Sequence, residues 1–160
     1  MMMITFRDYY NNEVKMSFAD HPFSDQPKHV WVICRYGSKW LLTRHKDRGL
    51  EFPGGKVEKG ETAEHAAMRE VMEETGGVVQ QLKYVGQYFV AGKAGHIVKN
   101  VYYAIISELK KKSNYLETYG PVLVEKFPSH LAQHAEYSFM MKDKVLPNAL
   151  HHIDQLEKTM

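Results

Sequence analysis

Two glycine pairs, Gly54-Gly55 and Gly76-Gly77, bracket the one long stretch of strong helix formers that ends in a clear stop, residues 62–75. Glycine at a helix exit takes the left-handed conformation that closes the intrahelical ladder, so Gly76-Gly77 reads as a C-cap. Pro53-Gly54-Gly55 is an equally firm break upstream. Most of the remaining chain falls into short β-rich runs. Residues 4–9 and 14–18 flank Asn11-Asn12 and read as a hairpin, and residues 29–35 and 39–43 form another around Gly37-Ser38. Residues 82–90 and 99–106 predict strands joined by a loop over 91–98, and residues 121–127 a last strand. Residues 20–28, with Pro22 and Pro27, read as a loop, and Lys110-Lys111-Lys112-Ser113-Asn114 as a polar connector. Residues 136–156 predict one or two helices broken near Pro147. Strands around a central helix, with a helical tail, imply an α/β sandwich on a mixed sheet.

A chain of 160 residues, 44% hydrophobic and 25% charged, is expected to form a single domain over 1–160 with a real core. Twenty-one basic against nineteen acidic residues leave a net charge of +2, so contact with a polyanion must come from a local site. The lone Cys34 lies in the apolar run 30–34 and reads as a buried thiol, which fits a reducing compartment. The opening residues lack an apolar signal core, and no apolar stretch approaches the roughly 18 residues of a membrane span, so a cytoplasmic, membrane-free domain is expected.

The chemistry concentrates in the helix. Glu70, Glu73 and Glu74 stand at i, i+3 and i+4 and share a face, with the small Ala63, Ala66 and Ala67 on the same side. Like charges so spaced repel by about 0.2–0.5 kcal/mol per pair. The negative end of the helix dipole adds about 0.3–1 kcal/mol against them. A divalent cation reverses both signs, and carboxylate oxygens at this density suit Mg²⁺ or Mn²⁺. A solvated acidic helix end is the plain alternative.

From Gly55 through Gly76 the sequence reads G-x5-E-x7-R-E-U-x-E-E-x-G, with U a bulky aliphatic. Average residue usage gives its seven fixed positions a chance match of about 10⁻⁸ per starting point. This string resembles the signature of the Nudix hydrolases, departing only at Gly77, where the family usually has a bulky aliphatic. The resemblance implies an α/β/α sandwich and hydrolysis of a phosphoanhydride in a nucleoside diphosphate linked to another group. It further implies that Glu70, Glu73 and Glu74 bind divalent metal, with the Gly54 carbonyl as a further ligand, and that Arg69 and Glu61 form an ion pair. Glu70 is the first candidate for general base; Glu117, just ahead of Gly120-Pro121, and Glu125 are downstream alternatives or plain surface carboxylates.

Marks of other subfamilies are missing. No proline lies between Pro53 and Pro121, no tyrosine lies near Ala94, and Leu41-Leu42-Thr43-Arg44-His45 carries His where a coenzyme-A type would have Arg. The wider string over 28–60 and the tail Phe-Met-Met-Lys-Asp-Lys-Val-Leu-Pro resemble a Gram-positive, MutT-like branch described as 8-oxo-dGTP diphosphatases or RNA 5′-pyrophosphohydrolases. The expected partner is therefore a nucleotide, an oxidised purine triphosphate such as 8-oxo-dGTP or dGTP, or else the 5′ end of an RNA. A silent Nudix fold that only binds a ligand is a remote third reading, since no box glutamate is lost. Arg44, Lys56, Lys93 and Lys99 are candidate phosphate or substrate contacts, with His45, Lys46, Arg48 and His96 nearby. One or two of Tyr88, Phe89, Tyr102 and Tyr103 are candidates to stack a base.

Overall fold

The computed structural model describes residues 2–159. They form a nine-stranded sheet with a helix on each face. In chain order the elements are β1 (Ile4–Arg7), β2 (Glu13–Ser17), β3 (His29–Tyr36), β4 (Lys39–His45), β5 (Gly49–Glu51), β6 (Gly54–Lys56), α1 (Ala63–Thr75), β7 (Gly77–Gly92), β8 (Gly95–Leu109), β9 (Thr118–Val124) and α2 (Val145–Lys158). Short 3₁₀ turns cover Leu131–Gln133 and Phe139–Met141. The sheet runs β1-β2-β7-β8-β3-β4-β5, with β6 added against β3 and β9 against β4. Only β3 and β8 pair in parallel among the strand pairs, which makes the sheet mixed.

Alternation along the central strands fills two cores. Val30, Val32 and Cys34 of β3, with Tyr102, Ala104 and Ile106 of β8, face Ala66, Ala67 and Val71 of α1. Their neighbours Trp31, Ile33, Val101 and Tyr103 point the other way, toward Val145, Leu146, Ala149 and Ile153 of α2. Burial on both faces explains why β3 reads as an unbroken apolar run.

Three expectations need correction. The loop over 91–98 is the tip of a long hairpin: β7 and β8 continue to Gly92 and Gly95, leaving Lys93 and Ala94 as the turn. Pro147 does not break a helix, because it sits in the first turn of α2, where a missing N–H has no intrahelical acceptor. Gly54 and Gly55, read as a break, form the short strand β6 against Val30 and Trp31. The hairpins at Asn11-Asn12 and Gly37-Ser38 form as the sequence predicts, although β1 stops at Arg7. Among the described residues no helix is long and apolar enough to cross a membrane.

Helix α1 is fixed at both ends. The Thr62 hydroxyl accepts the His65 N–H at 3.1 Å, and Gly76 closes the other end at φ 75°. The last carbonyls find partners far away in sequence. Lys112, in the polar connector, donates its Nζ to the carbonyls of Met72 (3.1 Å) and Glu73 (3.2 Å). The hydroxyls of Thr43 and Thr118 donate to the Glu74 carbonyl at 2.9 and 3.1 Å. A cation at this end opposes the dipole penalty that the glutamates incur.

A Cβ at Gly76 would collide with the Lys110 carbonyl, whereas one at Gly37, also left-handed at φ 63°, would meet nothing within 4 Å. Gly37→Ala is expected to cost only the conformational penalty of about 1–2 kcal/mol. Gly76→Ala should cost at least about twice that in urea unfolding, because the Lys110 backbone, just past the end of β8, must also shift.

Candidate active site

The loop over 57–62 and α1 are joined through one side chain. Arg69 donates Nε to Glu61 Oε2 (2.7 Å) and Nη2 to Glu61 Oε1 (2.9 Å), a bidentate fork. Its remaining N–H groups reach Glu70 Oε1 (2.8 Å), Glu73 Oε2 (3.3 Å) and the Lys56 carbonyl (3.0 Å). Bonding to Arg69 and to the backbone N–H of Glu58 holds the Glu61 carboxyl down at about 2. The Arg69–Glu61 pair expected from the sequence is thus formed, and it reaches two of the three box glutamates as well.

Glu74 is buried, and its Oε1 accepts the Gly54 N–H at 3.0 Å. Burial, then the adjacent Glu70 charge, push Glu74 well above the usual carboxylate range. Burial also raises Glu70. A Cβ at Gly55 would lie 2.6 Å from Glu70 Oε1, so glycine here is a cradle that the carboxylate occupies. At Gly54 it is the N–H that meets Glu74, a different contact from the carbonyl role implied for this residue.

Three carboxylates and a glycine floor supply the hard oxygen donors that Mg²⁺ or Mn²⁺ prefer, so the donor set fits a divalent cation. Among the described residues, however, no three His, Cys, Asp or Glu side chains converge as metal ligands. The Arg69 fingers stand between Glu70 and Glu73 and balance their charge.

Beside this face opens a cleft of about 600 Å³, lined by Glu70, Gly54, Gly55, Lys56, His29, Arg48, Lys99 and Glu117, and closed by Phe139 and Met140. A larger cavity of about 720 Å³ lies across the loop, between residues 21–28 and 57–64, and does not reach Glu70. Sheet register explains the basic wall. His29 is paired with Lys56 across β3–β6 and with Lys99 across β3–β8, so the three side chains form one cross-strand row. Tyr88 on β7 extends that row beyond Lys99, whose Nζ lies 5.8 Å from the ring centroid. Burial, followed by Lys99 and Lys56, lowers the His29 pKa and favours its neutral imidazole. Burial likewise lowers Lys99.

Of the expected substrate contacts, Lys56 and Lys99 line the cleft. Arg44 is exposed on β4 and Lys93 is exposed at the β7–β8 tip, and neither belongs to its lining. Alternation turns Arg44 away from the buried Thr43 and His45, and the extension of β7 and β8 carries Lys93 out of reach. Glu117 stands at the rim, 4.0 Å from His45 Nε2. Glu125 pairs with Lys39 at 3.9 Å, outside the cleft. His45 is buried and its Nδ1 accepts the N–H groups of Asp47 and Arg48 at 3.1 and 3.2 Å, shaping the turn that presents Arg48. Arg48 is itself clamped to the buried Glu51 by two bonds of 2.9 Å. Sequence reasoning missed His29, Phe139 and Met140. His29 could have been found only from the strand register, and the other two lie 69 residues or more after Glu70.

The description of the NUDIX domain matches residues 23–136. The chain is 61% identical over 148 residues to YtkD of Bacillus subtilis strain 168, provisionally named an 8-oxo-dGTP diphosphatase, covering 92% of this chain and 94% of that protein. The 8-oxo-dGTP diphosphatase of Escherichia coli K12 is 59% identical over 52 residues, 29% of this chain and 40% of that protein. Among solved structures, the Bacillus subtilis pyrophosphohydrolase BsRppH superposes with a TM-score of 0.95 at 58% identity, covering 96% of this chain and 97% of that one. A NUDIX hydrolase from Nitrosomonas europaea, with a TM-score of 0.65 at 17% identity, covers 82% of this chain and 90% of that one and shares the fold.

Two tests follow from the site. Gly55→Ala drives a methyl into the Glu70 carboxylate and is expected to lower kcat at least tenfold; Gly60→Ala, which strains the loop backbone at φ 80° but meets no atom within 4 Å, controls for loss of a loop glycine without the clash. Asp143, beside the cleft, is pushed up to about 6, mainly by burial. Its folded value lies above the ordinary ~3.9, so its stabilising contribution is complete below about pH 4 and is lost as pH rises through about 6. Asp143→Asn should therefore raise the Tm at pH 8, by an amount equivalent to about 1–2 kcal/mol, and leave it nearly unchanged at pH 4.

Proposed function

The chain belongs to the Nudix family and is a pyrophosphohydrolase, and from that premise we propose that it cleaves a phosphoanhydride bond of purine nucleoside triphosphates such as 8-oxo-dGTP and dGTP. The observation that carries this reading is the junction of two sets of groups in one cleft. Glu70, the box carboxylate that lines the cleft, stands against the glycine floor, and the row Lys56–His29–Lys99, with Arg48, provides basic groups suited to a polyphosphate. The names of YtkD and of the Escherichia coli relative support the substrate class.

Glu70, Glu73 and Glu74 would hold the divalent cation, Mg²⁺ first and Mn²⁺ as an alternative, with the Gly54 carbonyl as a further donor. When bound, such an ion neutralises phosphate charge and makes water a stronger nucleophile at neutral pH. In the chain's own part of the reaction, Glu70 takes the proton of the attacking water. The new P–O bond forms as the anhydride P–O bond breaks, and the leaving phosphate departs with the bonding pair. Lys56, Lys99 and Arg48 place the polyphosphate and offset its charge, while neutral His29 supplies a hydrogen bond without adding a third positive charge to the row. Arg69 keeps the loop and helix in register, and Glu117 at the rim is the downstream alternative for the base.

A second reading, hydrolysis of a 5′-triphosphate on RNA, is favoured by a further cavity of about 210 Å³ that shares Lys99, Phe139 and Met140 with the cleft, and by the similarity to BsRppH. The deciding experiment measures kcat/KM for 8-oxo-dGTP, dGTP and a 5′-triphosphorylated RNA, with Mg²⁺ and then Mn²⁺, in the wild type and Glu70→Gln. Glu70→Gln should lose activity by at least about a hundredfold with its Tm retained. Undiminished turnover in that variant would remove Glu70 from the chemistry, and an inert wild type would favour a binding module.

A further inference from the structure

The β1–β2 turn holds two large rings out to solvent: Tyr9 is 54% and Tyr10 61% exposed. The turn is built to hold them there. Asp8 Oδ1 accepts the N–H groups of Tyr10 (3.0 Å) and Asn12 (2.8 Å), and its Oδ2 accepts the Asn12 side-chain amide at 3.1 Å. Asn11 adopts φ 64°, a conformation that asparagine tolerates, and Arg7 Nη1 donates to its carbonyl at 3.2 Å. The Tyr9 and Tyr10 rings meet edge to face at 5.2 Å.

The rings continue the catalytic cleft. Tyr10 packs on Phe139, with centroids 4.8 Å apart, and Phe139 and Met140 line both the cleft and the adjoining 210 Å³ cavity. Aromatic groups thus run from the cleft through Phe139 to Tyr10 and Tyr9. Lys99 lies at the inner end and Lys142 at the outer, with its Nζ 5.5 Å from the centroid of Tyr9. The two nearby carboxylates are engaged locally, Asp8 in the turn and Asp143 with the Val145 N–H at 2.8 Å. Exposed aromatic faces interleaved with lysines suit unpaired bases joined by phosphates, because every base offers a stacking face. A free mononucleotide has no further bases to offer to the rings beyond its own site.

We propose that the Tyr9–Tyr10 turn is a stacking surface for the bases that follow the first nucleotide of a 5′-triphosphorylated single-stranded RNA. The inference rests on the second reading above, in which the cleft hydrolyses the 5′-triphosphate of an RNA. Strand position follows from it: the triphosphate enters beside Glu70, and the chain leaves over Phe139 toward Tyr10 and Tyr9.

The test compares the full-length wild type with a Tyr9→Ala/Tyr10→Ala double variant on GTP and on a 5′-triphosphorylated tetranucleotide. The RNA-to-GTP ratio of kcat/KM should fall about tenfold or more, mainly through the KM for RNA, and Tyr9→Phe/Tyr10→Phe should keep the wild-type ratio. Parallel loss on both substrates, or an unchanged ratio, would overturn the proposal. Fluorescence anisotropy of a labelled tetranucleotide on Glu70→Gln protein, with and without the two alanines, reads the surface independently of turnover. Tighter binding when the tyrosines are present supports the surface even if the catalytic reading fails, and equal binding rejects it even if that reading stands.

Discussion

One guanidinium organises the chemistry of this fold. Without Arg69, Glu61, Glu70 and Glu73 would repel across a loop and a helix end where the dipole already disfavours negative charge. With it, the fork to Glu61 ties the loop to α1, and the remaining N–H groups hold Glu70, Glu73 and the Lys56 carbonyl. A lysine could supply the charge but not the planar geometry that meets several acceptors at once. The arrangement gives Arg69 a second consequence. The oxygens of Glu70 and Glu73 that it holds belong to the residues proposed to bind a divalent cation, so a metal bound there would have to share them with the arginine.

The other end of the helix shows how the rest of the sheet supports that cluster. The carbonyls of Met72, Glu73 and Glu74 are met by Lys112, Thr43 and Thr118, which come from the connector, β4 and β9. Orphaned carbonyls at a buried helix end would be costly, and a carboxylate-rich last turn makes the cost larger. Three separate segments therefore orient α1 and fix where its glutamates stand relative to the glycines of β6. The short strand β6 completes the site, since its pairing with β3 puts Gly54 against Glu74 and Gly55 against Glu70.

Register then sets what the polyphosphate would meet. Lys56, His29 and Lys99 belong to three strands far apart in the chain, yet pairing aligns them in one row. Burial, and then the two neighbouring lysines, disfavour the charged form of the imidazole, so the row combines cations with a neutral hydrogen-bonding group. The turn over Phe139–Met141 closes the cleft on the side where the first hairpin also arrives, which brings Tyr10 onto Phe139.

Local chemistry made much of this legible in sequence. Helix α1, its glycine cap and the carboxylate face follow from residues close together, whose spacing fixes their geometry once a helix forms, and the Arg69–Glu61 pair is implied by the resemblance of the box to the Nudix signature. The two early hairpins are legible for the same reason. What the sequence could not decide depends on partners distant along the chain. Charge alone made Arg44 and Lys93 look equivalent to Lys99, but strand alternation and hairpin length turned the first two away and pairing brought the third in. Lys112 read as a solvated connector and instead caps α1, and His29 carried no mark of function until β3, β6 and β8 were in register. Pattern over a few residues specifies an element and the face it presents; only the packed sheet decides which faces meet, because register and long-range capping are set by burial across the whole domain.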